Sequence, residues 1–214
     1  MVAAPKIRPI VLPDLDDWDG REPSVDDEQE RERFADADLS GLELMGTRFA
    51  ECEFAGGSLH DADLRGARFV ETVITRTNTP VLRAPVSSWQ DVTIDQSRIG
   101  SGELYETKWR SVRFSHCKLG YLNLRASELR DVEFVDCTID ELDLGGSTAA
   151  RVAFTRTTIG SLDVTRATLG DFDLRGAELA SIRGMGSLSG ATISELQLAE
   201  FAPLLASHLG ITVA

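Results

Sequence analysis

From Leu39 to Leu179 a bulky apolar side chain returns at every fifth residue. Of the 29 positions visited, 26 carry Leu, Ile, Val, Phe or Trp, and only Thr79, Ala84 and Ala149 depart. A period of five fits neither the 3.6 of an α-helix nor the 2 of a strand. A chain that turns one corner per five residues closes a square after four units, so that residues twenty apart stack. Steps of twenty give a column of Phe34, Phe54, Ile74, Ile94, Phe114, Phe134, Phe154 and Leu174, and a second of Phe49, Phe69, Trp89, Trp109, Leu129, Ala149 and Leu169. The residue two places earlier sorts the same way, as in Val92, Val112, Val132, Val152 and Phe172. Two independent positions therefore agree on four corners per turn.

The units Ala37-Asp38-Leu39-Ser40-Gly41, Ala62-Asp63-Leu64-Arg65-Gly66 and Phe172-Asp173-Leu174-Arg175-Gly176 resemble the A(D/N)LXX motif of the pentapeptide-repeat family. The phase holds over about two thirds of the chain. The resemblance implies an all-β fold, a right-handed quadrilateral parallel β-helix of about seven coils, with the fifth-residue Leu or Phe and its small partner pointing inward. The chain then divides into an N-terminal acidic arm and cap (1–33), the β-helix (34–183) and a C-terminal capping and dimerisation helix (184–214).

Residues 1–33 lie outside the apolar register. Pro5, Pro9 and Pro13 suit an extended arm, followed by the acidic run Asp14 to Asp19. An EF-hand reading of that run fails, because Trp18 occupies a ligand position and no Gly stands where the loop must turn. Within the ladder Thr75 to Ser88 is the weak zone: Pro80 and Pro85 each remove a donor, which predicts a distorted coil of unchanged length.

No catalytic constellation is present. His60, His116 and His208 share no column, no phosphate-binding glycine loop exists, and neither a cofactor nor a metal site is expected. Cys117 and Cys137 stand twenty apart and stack inward, where cysteine serves as a small hydrophobe. With three scattered cysteines, no secretory signal and no membrane segment, a cytoplasmic protein is expected. The reading is a non-enzymatic scaffold or protein-binding solenoid that does not itself bind nucleic acid.

One surface column, Glu51, Glu71, Asp91, Ser111, Asp131, Arg151 and Asp171, stacks carboxylates on neighbouring coils, where like charges repel. Glu51, Glu71, Asp91, Asp131 and Asp171 are the candidate binding stripe. Some members of the family carry acidic faces that imitate DNA and bind DNA gyrase, giving quinolone protection, and the resemblance makes that the alternative function. Against a strong version of it, residues 34–183 hold 23 acidic and 17 basic side chains.

Beyond Gly184 to Gly190 the ladder fails. Ser194 and Gln197 form a capping-box pattern, and Leu196 to Leu209 reads as a helix ended by Gly210, with Pro203 kinking it or starting a second turn. On a continuous helix Leu198, Phe201, Ala202, Leu205 and Leu209 make a stripe that can cover the last coil, with Leu196 and Leu204 opposite. The tail, through Ile211 to Val213, resembles that of gyrase-protecting members, which implies a homodimer. Leu196, Phe201, Leu204, Leu205 and Leu209 are the candidate interface.

Overall fold

Parallel pairing joins residues twenty apart along most of the chain. Trp109 pairs with Trp89 on one side and Leu129 on the other, and Phe114 with Ile94 and Phe134. Leu119 lies between Ile99 and Ile139 in the same way. The computed structural model, which describes residues 2–212, is a parallel β-solenoid of about nine turns with one C-terminal helix, α1 (Glu195–His208). Its strands form a twelve-stranded and a six-stranded sheet.

Each coil bends where the pairing skips a residue. Strands such as Lys108–Ser115 and Glu128–Val135 pair through Arg110 with Arg130 and Val112 with Val132, whereas Ser111 and Asp131 between them are unpaired. Those corner residues adopt left-handed φ values, 57° at Ser111 and 59° at Asp131. A residue in that conformation swings the next strand segment onto a new face, and the repeat spends one such residue per coil at this edge.

The core is the set of inward columns. Phe114, Phe134 and Phe154 stack at centroid separations of 5.1 and 5.2 Å with their planes within 12°. Phe34 stacks on Phe54 at 4.7 Å, and Phe49, Phe69 and Trp89 continue on another face. These spacings follow from the ~4.8 Å separation of neighbouring strands. Small polar residues share the interior where their hydroxyls bond carbonyls of their own turn, as Ser87 does to Ala84, Thr107 to Leu104 and Ser147 to Leu144, at 2.6 to 2.8 Å. Cys117 and Cys137 belong to a column with Thr77, Ser97 and Thr157, and their thiols contact the carbonyls of Ser115 and Val135 as those hydroxyls do. All three cysteines are free and buried.

The solenoid is longer than the apolar count of seven coils. Asp16–Asp17 pairs with Glu32 and Arg33, and Glu28–Glu30 pairs with Arg48–Ala50. At the other end Ala191–Thr192 pairs with Phe172 and Asp173. These end coils escape the five-residue signal because their inward positions are filled differently: Gln29 lies buried under Phe49, and Trp18 packs on Phe34 at 5.6 Å.

The segment around Pro80 and Pro85 is not distorted. Asn78–Arg83 pairs in full register with Arg98–Glu103, and Thr79 and Ala84 are buried. Pro80 occupies the corner position that the pairing skips, so its missing N–H leaves no partner wanting. At the same corner, one and two coils on, Gly100 and Gly120 allow carbonyls to approach so closely that a Cβ on Gly120 would lie 2.1 Å from the Gly100 oxygen.

Helix α1 begins with the expected capping box between Ser194 and Gln197 and runs through Pro203 to its end before Gly210. Ile211 and Thr212 form no strand, and Val213 lies outside the described residues.

Candidate functional site

The acidic residue of the repeating unit has a local use. Asp38, Asp63, Asp143, Asp163 and Asp173 each accept the backbone N–H two residues on, at 2.8 to 3.1 Å, which closes the turn. These carboxylates are therefore spent on corners.

Elsewhere opposite charges meet across coils. Arg31 with Glu51, Arg33 with Glu53, Arg113 with Glu133, Arg151 with Asp131 and Arg156 with Asp136 are all twenty residues apart and 2.5 to 2.9 Å apart in space. The repulsion that a pure acidic column would suffer is relieved by these alternations of sign. Two stripe members, Glu51 and Asp131, are thus already in ion pairs.

The stripe is also covered. Residues 2–13 run as an extended strap along it, in the direction opposite to the growth of the coils. Ala3 N donates to Asp171 Oδ1 at 2.9 Å, Lys6 N to Asp131 Oδ1 at 2.9 Å and Arg8 N to Ser111 Oγ at 3.0 Å, while the Arg8 guanidinium stands 3.9 Å from Asp91. Asp91, Ser111 and Asp131 are each no more than 6% exposed as a result of their covering and pairing. Burial opposes ionisation of Asp131. The Arg151 guanidinium, the Lys6 N–H and Arg130 outweigh it and hold the carboxyl below its ordinary range. Of the five stripe carboxylates only Glu71 and Asp171 are exposed. The sequence held one signal for the strap, three prolines at spacing four, but nothing in it said where an extended arm would lie.

Beside the strap the surface is basic. A hollow of about 280 Å³ is bounded by Lys6, Arg8, Arg110, Arg130 and Arg151 against Asp91 and Asp131. A neighbouring groove of about 580 Å³ is lined by Arg68, Gln90, Lys108, Arg110 and Arg130. Acidic charge is densest instead at the N-terminal end, where residues 14–32 carry ten carboxylates and two arginines, a net of −8 out of the chain's −13.

At the other end α1 closes the solenoid. The Gln197 side chain accepts from Ser194 N within the capping box and donates through Nε2 to the carbonyls of Leu174 and Ala177 at 2.7 and 2.8 Å. Those bonds turn Gln197 and Phe201 inward. The inward side of the helix is therefore 197, 201 and 205, and not the expected stripe through Leu198, Ala202 and Leu209, which are exposed. Phe201, placed among the interface candidates, is 4% exposed and packs within its own chain. Leu205 is half-buried, whereas Leu196, Leu204 and Leu209 project outward with Leu198 and Ile211.

His60 and His116 serve local bonds. The His60 ring accepts Val81 N, and His116 Nδ1 lies 2.9 Å from Asp95 Oδ1, with Asp136 at 3.7 Å from Nε2. The bond to Asp95, together with the charges of Asp95 and Asp136, raises the His116 pKa against the effect of desolvation. Burial likewise pushes the Cys52 thiol up to about 11. Among the described residues no three His, Cys, Asp or Glu side chains converge as metal ligands, and no helix is long and apolar enough to cross a membrane.

Two family models match the chain, "Pentapeptide repeats (8 copies)" over residues 33–70 and "Pentapeptide repeat region" over residues 107–183. No curated protein matches it. Similar solved structures include a trypsin-treated form of QnrB1, a plasmid-mediated fluoroquinolone resistance protein, at 21% identity and TM-score 0.46 over 92% of this chain and 96% of that one. Full-length QnrB1 gives 21% identity and TM-score 0.30, covering 88% and 97%. HetL, a pentapeptide-repeat protein involved in heterocyst differentiation regulation from the cyanobacterium Nostoc sp., gives 15% and 0.24, covering 82% and 93%. The two family matches together take in more than half of the residues and coincide with the stacked coils, and the chain belongs to the pentapeptide-repeat family.

Proposed function

We propose that this chain is a non-enzymatic, protein-binding solenoid that works as a homodimer in the cytoplasm. The observation that carries the reading is the filled interior: stacked Phe, Trp, Leu and Ile side chains occupy it along its length, so the chemistry available to a ligand lies on the outer faces. Those faces are ordered by coil-to-coil ion pairs and corner bonds, which present side chains at fixed ~4.8 Å steps to a partner surface. The tail supports the dimer, since Leu196 and Leu204 are exposed on one short helix and Leu209 at its C-terminal end.

The alternative partner is DNA gyrase, reached by imitation of DNA. The acidic end coil, residues 14–32, favours it more than the stripe does, because Asp91 and Asp131 are covered and the adjoining grooves are basic. Purified full-length chain titrated into a gyrase supercoiling reaction, with and without a quinolone, separates the two. The protein-binding reading with another partner expects no change in supercoiling. Inhibition or quinolone protection that is lost when Asp16, Asp17 and Asp19 become Asn would establish the gyrase reading.

A further inference from the structure

The strap raises the question of what the face beneath it is built to hold. Residues 2–13 contribute no buried side chain: Val2, Pro5, Ile7, Ile10 and Leu12 are half-buried, and the rest are exposed. None of them belongs to the core, which begins at Phe34 with Trp18 packed against it. The strap forms no strand pairing. Its bonds are made by backbone N–H groups onto side-chain acceptors of the solenoid. Such contacts read the backbone and spacing of a segment more than its identity, as in other modes of extended-peptide recognition.

The spacing is commensurate with the coils. From Ala3 to Lys6 the strap passes two coils, from the level of Asp171 to that of Asp131. An extended chain covers about 10 Å in three residues at ~3.3 Å each, and two coils rise about 9.6 Å. Prolines at 5 and 9 lack an N–H, and the donors between them, on Lys6 and Arg8, are the ones that meet acceptors. The acceptors share one edge because the corner residue of every coil is left-handed: Asp91, Ser111, Asp131 and Asp171 have φ between 51° and 59°, and Arg151, at the corner between the last two, turns to Asp131 and leaves that coil without an acceptor. Charge adds selectivity, since the Arg8 guanidinium reaches toward Asp91.

We infer that the edge formed by Asp91, Ser111, Asp131 and Asp171 is a receptor for an extended, cationic, proline-punctuated protein segment, which residues 2–13 occupy in cis and which a partner's segment of that chemistry takes by displacing them. The inference rests on the protein-binding reading and names the partner class for one face. A partner at this edge meets a self-occupied site, so its apparent affinity is lowered by the fraction of chains whose strap is seated.

A fluorescein-labelled peptide of residues 2–13, its binding followed by anisotropy, tests this on two proteins, the full chain and a chain beginning at Asp14. The shortened chain retains every core residue, and circular dichroism with a thermal melt checks its fold. The peptide is expected to bind the shortened chain saturably and at least tenfold more tightly than the full chain. Ser111→Ala, Asp131→Ala and Asp171→Ala combined in the shortened chain should weaken binding at least tenfold, as should Lys6→Glu with Arg8→Glu in the peptide. Equal binding to both chains, or none to a folded shortened chain, overturns the inference. If the shortened chain does not fold, amide exchange in the full chain decides: Asp131→Ala with Asp171→Ala should speed exchange at Ala3 and Lys6 at least tenfold, and unchanged rates overturn it. Failure here leaves the broader protein-binding reading standing, because the supercoiling assay tests that reading without using the strap.

Discussion

Gln197 Nε2 donates to the Leu174 carbonyl at 2.7 Å across 23 residues of sequence, so that one side chain of the terminal helix finishes the hydrogen bonding of the last coil. A solenoid that stops leaves an open strand edge, and its carbonyls must find donors or meet water. Gln197 supplies a second bond to Ala177 O and is itself fixed by Ser194. Gln197→Leu keeps the volume and removes the donors. The expected loss is about 1–3 kcal/mol for buried carbonyls left unpaired, read as a lower urea midpoint with an unchanged m-value. Ser194→Ala should cost about 1 kcal/mol through the cap alone.

Phe134 sits between Phe114 and Phe154 in a near-parallel stack, 1% exposed. Coils above and below are tied to their neighbours by backbone pairing and cannot collapse into the space it would leave. Phe134→Ala should therefore cost about 3–5 kcal/mol. Denaturant unfolding measures it, and an unchanged midpoint would contradict the stacked-coil core.

The register of this core was legible because one residue type per five is a strong demand repeated many times. The end coils were not: Gln29 and Trp18 occupy inward places without the apolar signature, and the pairing of Glu28–Glu30 with Arg48–Ala50 is a backbone matter. The candidate stripe was legible as a column, but its environment was not. Residues 2–13 reach Asp171, Asp131 and Ser111 over separations of 103 to 168 residues. No local pattern encodes a contact at that distance. In α1 the expected apolar stripe holds at Phe201 and Leu205 and fails at Leu198, Ala202 and Leu209, because the Gln197 amide, the group the last coil needs, sets the rotation of the helix.

Two titrations of opposite sign should appear. The Asp131 carboxyl is held below its ordinary value in the folded chain, so the stability it contributes is present above about pH 4 and is lost as pH falls through the lower folded value. Because Lys6 N donates to that carboxylate, the same protonation should loosen the strap, seen as a lower protection factor at Lys6 in acid once the rate is divided into the intrinsic amide rate at the same pH. His116, raised by its bond to Asp95, acts the other way: its contribution is full below about pH 6.5 and is lost as pH rises through the higher folded value. Its ring is exposed, so the effect on stability should be small. Proton NMR of His116 should show a titration above the ordinary histidine value that moves down in Asp95→Asn. Replacing His60, His116 and His208 together should leave fold and partner binding intact.

The tail of α1 carries the last expectation. Leu196 and Leu204 are exposed on one helix of 14 residues, Leu196 at 70%, while Phe201 and Gln197 fasten another side of it to the coil. A helix already anchored on one side gives no intramolecular use to leucines on another. Burying Leu196 and Leu204 against the same surface of a second copy removes apolar area from water at roughly 25 cal/mol per Å² and makes a two-fold, self-complementary contact. Light scattering of the full chain at micromolar concentration should report a dimer. Leu196→Asp with Leu204→Asp should return it to monomer while leaving the melting temperature of the coils within a few degrees, because neither residue touches the core cluster. A monomer in the unaltered chain would remove the dimer from the reading. A dimer that persists in the double variant would place the contact away from α1.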